Sequence, residues 1–567
     1  MIGGQAYPLR ASIDIAHLYK GFAPTADQYR YALTNSNGGN ILESTQRHQP
    51  AGIRSTGNEF FNRSHTIYDV PSLPQAYNPI YPPLSSNMNQ SNEIVTIILK
   101  ANVTGLNEIL TDPLREHEYT EVSQMTYIAN KEIFTFQHAG IKNSGKSTKD
   151  FAKQSFKLKL NQFAKTKDML YGRTTFKLRA QQTDPSIIRE KLAYDCLGAA
   201  GAATLQGHFA RLFINEEAFG LFLMSDDSGS TFINDVLHSG DQSYGNTGPT
   251  YKGNAMSPQL EGNLVYIDDS VASYDSDVYD IDDYGNMKTT LNKTNQLVPL
   301  IEFMKQLSSI DSTRDIDVNT RGALEKLIHS PQHLILHMAV NFLIGATDGF
   351  WRQASNYYLQ LDTGSHLWTL ISFDFDETFG LNIERSVATE PYTSYSRPNS
   401  QRPLIDAVLK SPYYKAEFEK TIQTLVKRFF KPSVINPRLE ALEAMLREDF
   451  EWDLAIPRKS PGAVPMWSLT TFEKSLKKTD EGDEASVAEW VQLRAVSLQQ
   501  QLKFSDVDDL PPLEPYVNKY VWDPNHPDKI SSSNENVKTS VAVQPYSKLP
   551  VVVLGSIAMV IFIQVII

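Results

Sequence analysis

The stretch from Leu334 to Gly380 constrains the fold most strongly, because it sets a helix, a loop and two strands in a fixed order. An almost wholly apolar run predicts a buried helix that ends near Gly345. Two β-rich runs further on flank a polar turn at residues 362–366, which predicts a β-hairpin. A short polar loop joins the helix to this hairpin.

The second strand of the hairpin ends in paired acids that suit a hard cation. Asp374 and Asp376 alternate with Phe373 and Phe375, so in an extended run both carboxylates point to one side and both rings to the other. Mg²⁺ is typically held by one or two carboxylates together with substrate phosphates. We therefore expect a metal-facing edge on an apolar platform.

The preceding loop adds an acid and an amide in an order that protein kinases also use. Asp348 and Asn356 come before the paired acids, as a catalytic Asp and a metal-binding Asn come before the metal-binding Asp in kinases. The spacing differs, because Asn356 follows Asp348 by eight positions where the kinase loop has about five. One such acid alone indicates a turn cap or a solvated strand end, but the ordered set predicts a phosphate and metal site.

Three separated motifs in this stretch resemble the signature of the CotH family, the spore-coat-protein-H atypical kinases. They are Thr347-Asp348-Gly349, Asn356-Tyr357-Tyr358-Leu359 and Asp374-Phe375-Asp376-Glu377-Thr378-Phe379-Gly380. The resemblance covers about residues 92–503 and implies an atypical protein kinase with ATP as the phosphoryl donor. It also implies Asp348 as the catalytic residue, and Asn356, Asp374 and Asp376 as ligands of Mg²⁺ or Mn²⁺.

Basic residues upstream are candidates for binding the nucleotide phosphates. Residues 140–147 have the spacing of a Walker A loop, but the runs around them alternate as exposed strands do, so we do not expect a P-loop. The lysines of residues 153–160 share one face of a period-2 strand, which alone is typical of a solvated face. The resemblance to a Lys-Ser-Tyr-Lys pattern of the family implies that Lys153 or Lys157 contacts the phosphates.

Two arginines complete the set of nucleotide-binding candidates. Arg179 ends a short strand, and Arg189 lies in a block that resembles a CotH pattern, with Asp184 as the predicted N-cap of a helix. Arg189 has two open interpretations, a surface pair with Asp184 or Asp195, or a residue that orients the phosphates or the lysine. Glu190 is a candidate acid for pairing with the nucleotide lysine.

The expected fold class is α+β, with a two-lobed, atypical protein-kinase-like domain preceded by a small β module. The two lobes are implied by the resemblance to the CotH family, and the connector and the tail are predicted from composition. We expect a β-rich module at 1–60, a proline-rich connector at 61–91, a β-rich N-lobe with an acidic, solvated insertion at 92–296, a helical C-lobe at 297–504, a disordered stalk at 505–548 and a hydrophobic C-terminal segment at 549–567.

The C-terminal segment points to the secretory pathway. Leu549–Ile567 is nineteen residues without charge, long enough to cross a bilayer, and with a polar spacer before it resembles a GPI-attachment signal more than a retained anchor. Met1–Pro8 lacks the features of a signal peptide, so we expect that the gene model has lost its first exon. Candidate attachment sites are Ser531, Ser532, Ser533 and Ser540, and sequons compatible with secretion are at Asn62, Asn89, Asn102 and Asn292.

The net charge argues against nucleic acid as a partner, and the cysteine content excludes a disulfide within the chain. The formal charge of -12 and the pI of about 5.5 argue against nucleic acid as a partner, because phosphate binding needs a basic face. Cys196 is the only cysteine, so no intrachain disulfide forms and stability comes from packing.

The favoured function is transfer of a nucleotide phosphoryl group to Ser or Thr of secreted or surface proteins. The expected location is the cell surface or wall, with the C-terminal tail or a GPI anchor at the membrane. The alternative is a non-catalytic, GPI-anchored adhesin or invasin that binds a host-cell receptor, as fungal surface members of the family do. Residues 352–361 depart from the surface segment of those members and are nearer the bacterial kinase pattern.

Overall fold

The N-terminal module consists of short paired strands. A computed structural model describes residues 1–34, 39–49, 52, 54–166, 168–479, 482, 484–525, 530–532 and 559–564, the last two ranges by backbone alone. The strands of the module are β1 (Arg10–Ala11), β2 (Leu18–Ala23), β3 (Gln28–Tyr29), β4 (Ala32–Thr34), β5 (Asn40–Leu42), β6 (Arg47–His48) and β7 (Ser55–Phe60). The β-rich module predicted for residues 1–60 is therefore present.

Seven strands that follow the module close into a barrel. In chain order they and the first two helices are β8 (Val95–Ala101), α1 (Val103–Thr111), β9 (Thr120–Ile128), β10 (Ile133–Ser144), β11 (Ser155–Lys159), β12 (Thr175–Arg179), α2 (Arg189–Ala200), β13 (Gly207–Ile214) and β14 (Glu217–Asp226). Around the barrel the order is β10-β11-β12-β14-β13-β8-β9, and every pair is antiparallel except β13 with β8. The α+β class is thus confirmed, and the β-rich region is a closed barrel, which leaves no free sheet edge.

Alternation along β11 and β12 explains which side chains leave the barrel. Phe156 and Leu158 of β11, like Phe176 and Leu178 of β12, are buried in the interior. Successive side chains of a strand point to opposite faces, so the lysines and the arginine of these two strands lie on the outer face. β11 follows β10 as an antiparallel partner, which agrees with the expectation that residues 140–147 are not a P-loop.

A second, four-stranded sheet in the order β18-β15-β19-β20 lies beside the helices. The segment predicted as a solvated acidic insertion contributes β15 and β18, so this part of the prediction is wrong: the sheet joins residues from both sides of position 296. The elements are α3 (Ser230–Leu237), β15 (Thr247–Gly253), β16 (Ala255–Ser257), β17 (Leu260–Glu261), β18 (Tyr279–Asp283), α4 (Val298–Ser308), α5 (Pro331–Ile344), β19 (Tyr357–Asp362), β20 (Leu367–Ser372), α6 (Pro403–Lys410), α7 (Pro412–Arg428), α8 (Pro432–Ala455), α9 (Leu469–Leu476) and α10 (Val487–Leu502). Single 3₁₀ turns occur at Asn87–Asn89, Ser147–Asp150, Val271–Ser273, Gly285–Met287, Ser312–Arg314, Leu324–Lys326, Arg385–Thr389 and Tyr392–Ser394.

Helix α5 is the buried helix that the apolar run predicts. Its residues from His333 to Ile344 are all buried, and Gly345 ends it in a left-handed conformation with φ of 64°. A Cβ on Gly345 would lie 2.0 Å from the Trp490 ring of α10, so only glycine fits. The helix end is therefore fixed by close packing as well as by backbone geometry.

Two histidines of α5 hold the neighbouring loop and the end of β20. His333 Nε2 accepts a hydrogen bond from Ala203 N at 3.0 Å, and His337 Nε2 donates to Ala203 O at 3.0 Å. His337 Nδ1 accepts from Ser372 N at 3.3 Å, which assigns the ring proton to Nε2. Burial lowers the pKa of His337 to about 4, so the ring stays neutral at physiological pH. This neutral pair positions Ser372, the last residue before the paired-acid segment.

The beginning of the predicted stalk packs onto the protein as an extended strap. Arg428 pairs with Asp508 at 2.8 Å, and Asn518 Nδ2 donates to Pro83 O at 2.6 Å. Trp522 N donates to Ser85 O at 2.9 Å, and the strap ends in β21 (Tyr520–Trp522). The prediction of disorder is therefore wrong for residues 505–522, because ion pairs and backbone hydrogen bonds compensate the cost of ordering them.

The C-terminal segment is described only in part. Among the described residues, no helix combines the length and the apolar character needed to cross a membrane. β22 (Ile530–Ser532) pairs with β21, and β23 (Met559–Gln564) lies between β2 and β7. Residues 549–558 and 565–567 of the expected hydrophobic signal, and the candidate sites Ser533 and Ser540, fall outside the described residues.

We predict that Trp522→Ala lowers the free energy of unfolding by about 2–4 kcal/mol, since it removes a large buried ring. Trp522 is 8% exposed and packs edge-on against Tyr171 and Phe134 at the barrel, with ring centroids 5.2 and 5.8 Å away. Urea denaturation of the full chain measures the effect. Val517→Ala in the same strap is the control, because Val517 is 76% exposed and its truncation should change stability by less than about 0.5 kcal/mol. Equal midpoints for the two variants would contradict the docked strap.

Candidate functional site

The register of the β19–β20 hairpin brings Asn356 and Asp374 to the same end of the sheet. Tyr357 lies opposite Ser372, and Phe373 N donates to Asn356 O at 3.0 Å. Asn356 and Asp374 both have left-handed backbones, with φ of 54° and 62°. Such values are uncommon outside glycine and cluster at functional sites. The predicted hairpin is confirmed, and its turn is capped by the side chain of Asp362.

The paired acids differ from the prediction in backbone but agree in the burial of the rings. β20 ends at Ser372, so the expected extended run through Asp376 is wrong. Phe373 and Phe375 are nevertheless 3% and 1% exposed, as the apolar platform required. The left-handed turn at Asp374 replaces simple alternation as the cause of the carboxylate orientation.

Asp348 is joined directly to this hairpin end. Asn356 Nδ2 donates to Asp348 Oδ2 at 2.6 Å, and also to the Asp348 carbonyl at 3.3 Å. Thr347 N donates to Glu377 O at 3.0 Å, which ties the Asp348 loop to the segment that carries the paired acids. Three of the residues predicted from the sequence, Asp348, Asn356 and Asp374, therefore share one site.

Burial and neighbouring acids change the acidity of Asp348. Burial, followed by the charges of Asp376 and Asp374, raises the pKa of Asp348 well above its usual value. The Oδ1 atom of Asp348 is buried and has no hydrogen-bond partner, which is unusual because an unpaired buried polar atom is costly. This atom is available to a substrate hydroxyl or to a bound cation.

Arg179 is the main positive charge at the paired acids. Its guanidinium contacts Asp374, lies 3.6 Å from Asp376 and makes a 2.5 Å ion pair with Glu190 of α2. Burial alone would raise the pKa of Asp374, but Arg179 and then Lys252 hold it at about 2. For Asp376 burial and the charge of Asp374 dominate, and its pKa is raised well above the usual value. Glu190 thus pairs with an arginine where a lysine partner was considered.

Lys157, on the outer face of β11, is 27% exposed and lies beside the end of β14. Its ammonium contacts Asp227, which also lies 3.1 Å from Lys177 Nζ. Sequence reasoning did not identify Lys177 as a candidate. The alternation of Lys177 with Phe176 was the signal that could have placed it on the same face as Arg179.

Lys153, the alternative to Lys157, lies elsewhere. Its side chain is 5% exposed, its Nζ is 2.8 Å from Asp453 Oδ1 and it donates to Leu221 O at 2.5 Å. Burial lowers its pKa, although the charge of Asp453 opposes this effect. The structure therefore gives Lys153 a place between the barrel and α8 and separates it from Asp348 and the paired acids.

Arg189 is buried among protein groups. Its guanidinium pairs with Asp184, donates to Ser475 Oγ at 2.8 Å and donates to Thr378 O at 2.9 Å. Helix α2 begins at Arg189, so the expected helix start at Asp184 is wrong; Asp184 instead closes a turn by accepting from Ser186 N at 2.8 Å. Arg189 supports the paired-acid segment through Thr378 O. The predicted pair with Asp184 is confirmed, but its expected place on the surface is wrong because the Arg189 side chain is 2% exposed.

The donor atoms fit a hard cation that also binds phosphate. Among the described residues, no three His, Cys, Asp or Glu side chains are grouped so that they could hold a metal ion alone. Two carboxylates, Asp374 and Asp376, with the amide of Asn356 are the oxygen donors that Mg²⁺ or Mn²⁺ takes when phosphate oxygens complete the coordination. The unpaired Asp348 Oδ1 and the excess of carboxylates over cations agree with such a group.

Comparison with known proteins gives a family and several fungal relatives. A family model described as CotH kinase protein matches residues 141–478, more than half of the chain. Spore coat protein homolog 1 of Rhizopus delemar is 29% identical over 90% of this chain and 80% of its own length. Invasin CotH7 and Invasin CotH3 of the same fungus are each 27% identical, over 86% and 84% of this chain and 78% and 76% of their own lengths.

We predict that Arg189→Lys lowers the free energy of unfolding by about 2–4 kcal/mol, because lysine cannot reproduce the forked, buried contacts of a guanidinium. Denaturant titration measures the change. Arg314→Lys is the matched control, since Arg314 is 89% exposed and should tolerate the exchange. A variant with wild-type stability but weakened nucleotide binding would instead favour direct phosphate contact by Arg189.

Proposed function

The chain belongs to the CotH kinase protein family, and from this membership we propose that it is an atypical protein kinase. It transfers a phosphoryl group from ATP to Ser or Thr hydroxyls of secreted or surface proteins. The observation that carries the proposal is the direct contact between Asp348 and Asn356 beside Asp374. These residues come from a loop and a hairpin end, and their order in the chain is that of kinase active sites.

In this proposal the barrel and the helical region act as the two lobes of a kinase-like enzyme. Lys157 and Arg179 lie on the outer face of the barrel, and Asp374 lies at the end of the four-stranded sheet. Phosphoryl transfer depends mainly on positioning and on electrostatic stabilisation. The cations on the outer face of the barrel and the acids at the end of the sheet would meet both requirements for an ATP–metal complex.

Asp348 receives the proton of the acceptor hydroxyl. Its raised pKa makes the carboxylate a better proton acceptor than an exposed aspartate. The hydrogen bond from Asn356 Nδ2 orients one oxygen, and the unpaired Oδ1 is the atom that meets the hydroxyl. Asp348 thereby holds the nucleophile in line with the phosphoryl group.

Asn356, Asp374 and Asp376 would hold Mg²⁺ or Mn²⁺ together with the phosphates, and a cation held there would supply neutralisation of the charge on the phosphoryl oxygens. Arg179 now contacts Asp374 and also reaches Glu190, so its guanidinium can stay paired with Glu190 when Asp374 takes the metal. Lys157 binds the donor phosphates as a point charge.

The relatives favour a second function at the cell surface. Two are named invasins and one a spore coat protein homolog, so we propose that this chain also reaches the surface or wall. Secretion and GPI anchoring through the C-terminal segment follow from this proposal. If the chain is a surface adhesin whose binding does not depend on catalysis, Asp374→Ala should still bind the receptor. Loss of binding in that variant would argue against such an independent role.

We predict that Asp348→Asn and Asp374→Asn each reduce phosphoryl transfer by about 10²–10⁴-fold, because one removes the proton acceptor and the other a metal ligand. Radiolabel from ATP is followed into the protein itself and into casein, with Mg²⁺ or Mn²⁺ present. Asp406→Asn is the matched control, since the Asp406 side chain is 50% exposed on α6 and, among the described residues, its ion pair is with Lys410. Labelling that persists in both site variants would exclude these roles.

A further inference from the structure

Lys252 is a cation on β15 that lies beside the acidic site. It is opposite Tyr358 of β19 in the sheet, and its Nζ is 4.8 Å from the centroid of the Phe373 ring. That ring stacks on Tyr358, with centroids 4.1 Å apart, and Phe373 directly precedes Asp374. Packing on two aromatic rings therefore fixes the Lys252 side chain next to the paired acids.

Lys252 differs from the nearby Lys157, Lys177 and Arg179 because it makes no ion pair with a described residue. Lys157 and Lys177 share Asp227, and Arg179 is paired with carboxylates. Within the part of the chain that the structure describes, Lys252 makes neither an ion pair nor a hydrogen bond through its ammonium. A half-buried cation without a partner is costly, and an anionic ligand would offset that cost.

The charges around Lys252 support an anion pocket. Burial and the nearby Lys177 and Lys146 lower the pKa of Lys252 to about 8, although Asp374 and Asp282 oppose the shift. Several ammonium groups held close together disfavour their own charged forms. A multivalent anion between them would relieve this repulsion.

The turn after β10 carries Lys146, whose charge lowers the pKa of Lys252. Lys146 is exposed there and makes no ion pair with a described residue. Gly145 has φ of 114°, and a Cβ on it would lie 2.2 Å from Thr148 Oγ1, so the tight turn requires glycine. The sequence Gly145-Lys146-Ser147 resembles the end of a phosphate-binding loop, although the antiparallel pairing of β10 with β11 is not that of a P-loop.

We propose that Lys252 binds the phosphoryl group that is transferred, and that Lys146 closes over the same phosphates from the barrel. This inference rests on the proposed kinase function and names the two cations that grip the donor. Lys157 then binds phosphates nearer the nucleoside. The proximity of Lys252 to Asp374 and the aromatic platform beneath it set this order.

The transfer step leaves Lys252 unchanged. The acceptor oxygen forms a bond to the γ-phosphorus, and the bond from that phosphorus to the bridging oxygen breaks. The bridging oxygen leaves on ADP with the bonding electron pair, and the hydroxyl proton passes to Asp348. Lys252 keeps its protons and donates hydrogen bonds to the γ-phosphoryl oxygens throughout.

We predict that Lys252→Met weakens binding of ATP by about tenfold or more, weakens ADP by less and leaves AMP within about twofold, because only the γ-phosphate loses a charge-assisted hydrogen bond. Isothermal titration of the full chain with each nucleotide and Mg²⁺ gives the dissociation constants. Lys252→Arg keeps the charge and should recover most of the ATP affinity. Lys420→Met is the matched control, because the Lys420 side chain is 69% exposed on α7.

The outcomes of this titration distinguish a failure of the Lys252 inference from a failure of the proposed kinase function. A wild-type chain that binds none of the three nucleotides overturns the kinase proposal itself. A wild-type chain that binds ATP, together with a Lys252→Met variant whose ATP-to-AMP ratio is unchanged, overturns only the role of Lys252. Equal losses for ATP and ADP also overturn it, because they place Lys252 on the β-phosphate.

Lys146→Ala gives a second test that does not depend on the packing of Lys252. Lys146 is exposed in a turn, so its truncation should leave the melting temperature unchanged. We expect ATP to bind about threefold more weakly and AMP as before, since one exposed ammonium is lost. If Lys252→Met does not fold, the neutral variant Lys252→Gln replaces it, and an unchanged ATP affinity in both Lys146→Ala and Lys252→Gln overturns the proposal.

Discussion

The pairing register of β19 with β20 is the constraint on which the candidate site depends. Tyr357 lies opposite Ser372, and this pairing places the residue before one strand next to the residues after the other. A slip of one position would turn every side chain of a strand to the opposite face. The register is held by Asp362 in the turn and by His337 at Ser372, so groups far from the acids determine where the acids lie.

The second constraint on the candidate site is the balance of charge among its buried side chains. Asp374, Asp376 and Glu190 are grouped around the guanidinium of Arg179, and the charges of Asp376 and Asp374 also raise the pKa of Asp348. Burying carboxylates without enough cations costs stability. Lys252 shows the opposite imbalance, because it makes no ion pair within the described residues although Asp374 and Asp282 are near enough to act on its pKa. A nucleotide with its divalent cation brings positive charge to the first place and negative charge to the second, and the proposed function explains both.

The fold and the site were predictable from the sequence to different extents. The apolar run ending at Gly345 and the β-hairpin around Asp362 follow local rules, and both are found in the structure. Lys252 was not identified, because its neighbour Phe373 is distant in sequence and only the β15–β19 pairing brings them together. The burial of Lys153 was missed for the same reason, since Asp453 comes from a far helix. Spacing along a strand indicates a face, and tertiary contacts decide what that face meets.

The strap that ends at Trp522 has a mechanical consequence. β21 is held at Ser85 by two backbone hydrogen bonds of a parallel bridge, and the Trp522 ring packs on the barrel beside Tyr171. Tension applied to the chain just after Trp522 would therefore load the barrel before it reached the helices. A pull of that kind would open these hydrogen bonds and withdraw the indole first, while the hairpin that carries Asn356 and Asp374 would remain unloaded.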